Sequence, residues 1–134
     1  MPYLMQVVNW TREFLSVYGD DYDTPDGTCI RDYIHVVDLA QAHVRSLKYL
    51  LDQTQLIYNI INIGTWRGTS VLEMITSVEE VIGHKFSYKV VGRRPGDLPV
   101  VYGNVDKAKA LLWRQAQHTI ADGIRDMVNF YNKI

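Results

Sequence analysis

The chain has 134 residues, a formal net charge of −1, 47% hydrophobic residues and one cysteine, Cys29. That is the size of a single domain with one core, without the global field that draws a protein to nucleic acid or an anionic membrane and without an internal disulfide. No apolar run approaches the roughly 18–20 residues of a membrane span, and the opening MPYLMQVVNWTREF lacks the basic, apolar and small-residue order of a signal peptide, so the chain reads as soluble and cytoplasmic.

Pro2, followed by Leu4, Val7 and Val8, predicts a helix at the start, proline being favoured at the first helical position. Phe14–Tyr18 is β-rich and alternating and reads as a strand. GDDYDTPDGT, residues 19–28, is a loop by its glycine, aspartate and proline content. Ile34–Val37 then reads as a short strand, with Arg31, Asp32 and Tyr33 at its entrance. Asp38 with Gln41 makes a capping-box pattern for a helix whose apolar face is Leu39, Ala42, Leu47, Leu50 and Leu51.

Leu56–Ile63 is nearly apolar throughout and predicts a strand buried on both faces, as in a parallel sheet. Gly64–Gly68 is a turn. Ser70 with Glu73 caps a helix carrying Val71, Ile75, Val78 and Ile82, and Gly83 suits its stop. Phe86–Val91 reads as a strand and Gly92–Asp97 as a polar loop. Asn104 caps a short helix through Leu111, and Thr119 caps a last helix with the face Ile120, Ile124, Met127 and Tyr131. The alternation of helix and strand argues for an α/β or α+β fold.

Two stretches set arginine beside acids and turn residues: Arg31-Asp32-Tyr33 and Arg93-Arg94-Pro95-Gly96-Asp97. Guanidinium is a planar fork that grips phosphate oxygens in pairs and stays charged at any working pH. Asp97 can accept hydrogen bonds from sugar hydroxyls. From spacing alone, the plainer account of solvated arginines paired to neighbouring acids stands beside the anion-site reading. His35 reads as a half-buried strand residue, and His43 has no second metal ligand at i+4. His84 and His118 are isolated, and Cys29 reads as a packed, inert thiol. Gly64-x-x-x-Gly68 carries neither a dinucleotide fingerprint nor a phosphate-loop Lys-Ser/Thr pair. Trp66 reads equally as an exposed platform or a packing residue.

GDDYDTPDGTCIRDYIHVVDLAQAH resembles the central signature of the UDP-glucose 4-epimerases, in the extended short-chain dehydrogenase/reductase family. INIGTWRGTSVLE and GRRPGDLPVVY match later motifs in order, as do the opening MPYLMQV and the closing LLWR with its following threonine. The resemblance covers essentially the whole chain. It implies that residues 1–134 are the C-terminal, UDP-sugar-binding portion, an α/β (α+β) fragment. The N-terminal NAD-binding domain would be absent, and one helix and strand (38–51 and 56–63) would normally complete its Rossmann sheet. The implied activity is the interconversion of UDP-glucose and UDP-galactose in galactose metabolism, in which NAD takes and returns a hydride at the sugar C4.

The family's NAD loop, its catalytic serine or threonine and its Tyr-x-x-x-Lys pair lie upstream. No catalytic residue is therefore carried over, no metal or NAD is expected to bind this chain alone, and the isolated chain is expected to be inactive. Position by position, Arg31 and Arg94 match the two arginines on the diphosphate. Tyr33 and Asp97 match residues near the ribose hydroxyls, and Ser16 and Tyr18 match positions lining the uracil. Val71 packs nearby, and Val101 matches a position beside the sugar, where a small side chain leaves room for UDP-N-acetylhexosamines. The family is homodimeric through helices that lie upstream.

Two departures stand out against the family pattern. Gly64-Thr65-Trp66 replaces Gly-Thr-Gly, and Leu111-Leu112-Trp113 replaces Leu-Gly-Trp. A left-handed helix terminator at Leu112 would cost about 1–2 kcal/mol. The other readings are a non-catalytic UDP-sugar-binding remnant and another NAD-dependent sugar-nucleotide epimerase or dehydratase, the latter disfavoured by the GDDYDTPDGT loop.

Overall fold

The computed structural model describes residues 2–112 and 115–132. Trp113, the third residue of the Leu111-Leu112-Trp113 motif, lies outside them. Helix α1 (Pro2–Val8) leads to strand β1 (Leu15–Tyr18), strand β2 (Ile30–Asp32) and helix α2 (Val36–Leu51). Strand β3 (Gly68–Ser70) runs directly into helix α3 (Val71–Ile82), followed by β4 (Tyr88–Val91), β5 (Val100–Val101), α4 (Asp106–Leu112) and α5 (Ile120–Tyr131).

Two small sheets result. β1 pairs with β4 in parallel, Leu15 opposite Tyr88 and Tyr18 opposite Val91. β2 is the centre of the second sheet, antiparallel to β3 and parallel to β5. The main core joins Met5 of α1, Val17 of β1, Val78 of α3 and Ile124 of α5, all essentially inaccessible, with Phe86 beside them. A smaller cluster packs Val105, Ala108 and Leu112 against Tyr49, Ile61 and Ile63.

The local caps form as their residues dictate. Ser70 and Glu73 make a reciprocal capping box, and Gly83 ends α3 in the left-handed conformation, φ 77°. Thr119 and Asp122 make the same box at the start of α5. The Asn104 side chain accepts from the Asp106 amide at 2.7 Å at the head of α4.

Several expectations are corrected. The short strand is Ile30–Asp32, not Ile34–Val37, so Arg31 lies within a paired strand. The helix has already begun at Val36 because the His35 ring, not Asp38, is the cap: its Nδ1 accepts from the Val37 amide at 3.2 Å. Asp38, one turn inside, is fully buried and accepts from the backbone amides of Gln117 and His118, each at 2.9 Å. It thereby ties α2 to the segment entering α5. His118 is accordingly not isolated: its ring stacks on His35 with centroids 4.3 Å apart, and its Nδ1 lies 3.1 Å from Asp38.

The inward stripe of α2 contains Asp38 and Ala42, while Leu47, Leu50 and Leu51 are exposed. Residues 56–63 are extended but join neither sheet. Leu56, Tyr58 and Ile60 face solvent, while Ile61 and Ile63 lie against the smaller cluster. A strand needs a ladder partner, and no described segment supplies one to this stretch. Finally, Leu112 is helical and 3% exposed rather than left-handed. Among the described residues, the non-glycine positions with positive φ are Trp10 (59°) and Trp66 (57°).

Candidate functional site

The site starts from β2. Pairing with β3 and β5 fixes Arg31 beside Val101, its register partner. Both residues line a cavity of about 330 Å³ with Asn62, Tyr102 and Val105 among its other walls. Asp32, next in the strand, also lines this cavity. Its carboxylate accepts from the Thr65 amide at 3.0 Å, the Thr65 hydroxyl at 2.6 Å and the Trp66 amide at 3.0 Å. The turn after Ile63 is thus anchored by the residue adjoining Arg31, a role that the sequence reading missed.

The second arginine comes from the loop after β4. A turn closes from the Asp97 amide to the Arg94 carbonyl (3.2 Å), with Gly96 at φ 86° allowing the reversal. Arg94 Nε donates to Asp97 Oδ2 at 2.9 Å and its terminal nitrogen to Oδ1 at 3.3 Å. Arg31 reaches the same carboxylate, a terminal nitrogen standing 3.6 Å from Oδ1. Two guanidiniums 63 positions apart in the chain therefore meet at one partly buried acid. The Arg94 guanidinium also lies 4.7 Å from the centre of the Tyr18 ring. Hydrogen bonding to Asp97 raises the Arg94 pKa against the opposing effect of burial, so the cation is secured.

The structure thus brings together Arg31, Arg94, Asp97 and Tyr18, with Val101 beside Arg31. Ser16 sits two residues before Tyr18 in β1, on the same face by strand alternation. Val71 opens α3, its amide donating to the Thr28 hydroxyl at 3.1 Å and the Cys29 carbonyl at 3.2 Å. Tyr33 stands apart from this group. It packs against the main core and lines two other hollows, of about 810 and 450 Å³. Burial pushes its phenol up, partly opposed by Arg31.

Two supports were not foreseen. Arg93 is held by Asp21, Nε to Oδ1 at 2.6 Å, and lies 4.1 Å over the Tyr22 ring. This locks the arginine loop to the 19–28 loop. Tyr22 is buried, and burial together with the neighbouring Cys29 thiol pushes its phenol up. Asp26 accepts from the Thr28 amide (2.9 Å), the Thr28 hydroxyl (2.8 Å) and the Ser70 hydroxyl. Burial alone would raise its carboxyl, but these hydrogen bonds outweigh it and the pKa falls. An Asp-Asp-Tyr run in one loop and an Arg-Arg run in another are the sequence signals for the first support. The Thr28 partner of Asp26, two residues on, is a local turn pattern, but its Ser70 partner leaves no local trace.

The fold is shared with solved nucleotide-sugar enzymes. The chain superposes on the Stenotrophomonas UDP-glucose 4-epimerase, solved with NAD and formylated UDP-arabinopyranose, with a TM-score of 0.93 at 40% identity, covering 98% of this chain and 39% of that one. For the Bifidobacterium longum enzyme with NAD+ and UDP the values are 0.92, 42%, 98% and 38%. In fold the chain is therefore similar to the C-terminal part of sugar-nucleotide epimerases.

In sequence, UDP-glucose 4-epimerase 1 of Oryza sativa is 43% identical over 134 residues, and the Bos taurus enzyme 50% over 117 residues. These spans are 99% and 87% of this chain, but 38% and 33% of the relatives. More narrowly, then, the chain is similar in sequence and fold to the C-terminal part of UDP-glucose 4-epimerases, and spans little more than a third of their length. No protein-family model matches it.

Proposed function

We propose that residues 1–134 form the UDP-sugar-binding portion of a UDP-glucose 4-epimerase, with Arg31 and Arg94 gripping the diphosphate. The observation that carries this reading is the convergence of both guanidiniums on one carboxylate, beside an aromatic ring. A diphosphate needs two such forks, and an aromatic face is a natural seat for a base. Ser16 and Tyr18 line the uracil, Asp97 serves the ribose, Val71 backs the site and Val101 borders the hexose, while Tyr33, expected near the ribose, packs against the main core instead. The substrates are UDP-glucose and UDP-galactose. Val101 is small and adjoins open volume, which supports UDP-N-acetylhexosamines as further substrates; a Campylobacter jejuni relative of 32% identity is a UDP-Glc/GlcNAc 4-epimerase.

The two solved relatives above hold NAD, and the glycine turn at 64–68 of this chain does not suit it. The glycine turn at 64–68 has its Thr65 and Trp66 amides engaged by Asp32, and a side chain at Gly64 would strike that carboxylate. That turn offers no free amide cradle to a pyrophosphate. The hydride chemistry is accordingly assigned to a part of the family fold outside these residues, together with its dimer contacts.

Calorimetric titration tests the proposal. Arg31→Ala and Arg94→Ala are each expected to weaken UDP binding by at least ~1.5 kcal/mol. UDP-N-acetylglucosamine is expected to bind as well as UDP-glucose, and the chain with added NAD to leave both hexoses unchanged. Unaltered UDP affinity in both variants, or turnover by the pure chain, overturns the reading.

A further inference from the structure

Resting on the diphosphate reading above, we infer that Asp97 is a positioning residue that braces the two arginines for an incoming diphosphate, in addition to any contact with ribose. Arg94 stands on an exposed loop, its side chain 60% accessible, and Arg31 in a sheet, 27% accessible. Asp97, 18% accessible, is the group that touches both.

The geometry separates bracing from competition. A guanidinium has five N–H donors. Arg94 gives Asp97 two of them, along one edge. Arg31 sets one terminal nitrogen 3.6 Å from Asp97, as an ion pair, and donates from the other to the Ile30 carbonyl at 2.8 Å. Donors therefore remain on both guanidiniums for phosphate oxygens while the carboxylate stays in place. Charge agrees, because two cations and one carboxylate leave the cluster net positive and still attractive to an anion. Without Asp97, Arg94 regains its rotamer freedom, and two like charges are left facing each other. Arg93, pinned by Asp21 and Tyr22, holds the loop backbone but cannot orient its neighbour's side chain.

Inorganic pyrophosphate is the probe, because it has the two phosphates and no ribose. The intact chain, Asp97→Asn, Asp97→Glu and Arg94→Ala are titrated with it, and the arginine Nε–Hε resonances are followed by NMR. Asp97→Asn is expected to weaken pyrophosphate about tenfold, the loss of one charge-assisted contact, and to average the Arg31 and Arg94 Nε–Hε signals. Asp97→Glu, which keeps the charge, is expected to recover part of both. Pyrophosphate affinity that is unchanged or tighter in Asp97→Asn, with thermal unfolding intact, overturns the bracing role alone and leaves Asp97 to the ribose. A wild-type chain that does not bind pyrophosphate, or binds it no better than Arg94→Ala, overturns the diphosphate site and this role with it.

Discussion

Two tryptophans occupy backbone conformations that suit glycine. Trp10 is the residue after the cap of α1. Its amide bonds the Val7 carbonyl at 3.1 Å, and the Thr11 amide bonds that of Gln6 at 2.9 Å. That is the Schellman pattern, whose left-handed residue is usually glycine. Trp66 repeats the strain in the turn held by Asp32. A left-handed L-residue costs roughly 1–2 kcal/mol, against about 0.5–1 kcal/mol for the greater freedom of glycine in the unfolded chain. Trp10→Gly and Trp66→Gly are each expected to raise stability by up to about 1 kcal/mol, a few degrees in Tm. Leu112→Gly is expected to have the opposite sign, since that side chain is buried in a helix. Differential scanning calorimetry of the three variants checks both signs; a Tm lowered by either tryptophan replacement contradicts the strain argument.

Among the elements, α3 and α5 owe their starts to carboxylates. The Thr119 hydroxyl and amide, with Arg125, hold Asp122 far below the usual carboxylate range. Asp26 is lowered as well, through Ser70 and Thr28 at the head of α3. A carboxyl whose pKa is lower in the folded than in the unfolded chain adds stability above the unfolded value, about pH 4. That stability is lost as the pH falls through the folded value. Tm is therefore expected to fall steeply below pH 4. Asp122→Asn is expected to lower Tm at pH 7 and flatten the acid limb; an acid limb parallel to that of the parent chain is the contrary result.

These capped elements were also the legible ones. Ser70/Glu73, Gly83 and Thr119 signal through neighbours a few residues away. The strand carrying Arg31 was misplaced because its pairing partners are remote and Val100–Val101 is too short to show a pattern. The apolar run Ile34–Val37 looks like a strand, but a histidine cap made it the entry to a helix. In the site, the two arginines and Asp97 stood out by their chemistry. That one acid serves both arginines depends on the β2–β5 register, which no local pattern encodes.

At the scale of the whole molecule, apolar surface lies open on one flank. Val44, Leu47 and Leu51 repeat at helical spacing along the outer side of α2, and Leu51 is 83% exposed. Leu56, Tyr58 and Ile60 alternate along the extended segment. Uncovered helix and strand faces of this kind promote association. The isolated chain is expected to self-associate and to melt below about 60 °C. Leu47→Lys with Ile60→Lys is expected to restore a monomer without lowering Tm. Light scattering after size exclusion decides this, and a monodisperse parent chain with a sharp, higher melt counts against it.

The two parallel ladders have a consequence for the order of folding. Leu15 waits for Tyr88, and Arg31 waits for Val101, so each pairing closes a loop of more than half the chain. Contacts so distant in sequence slow the search for the native state, because loop entropy is lost before the contacts form. During synthesis, α1, α2 and α3 emerge before either β4 or β5 exists. Arg31 is then a lone cation in a strand lacking one neighbour. The proposed binding site is among the last features to appear, assembled when the loop bearing Arg94 and Asp97 and the short strand behind it arrive together.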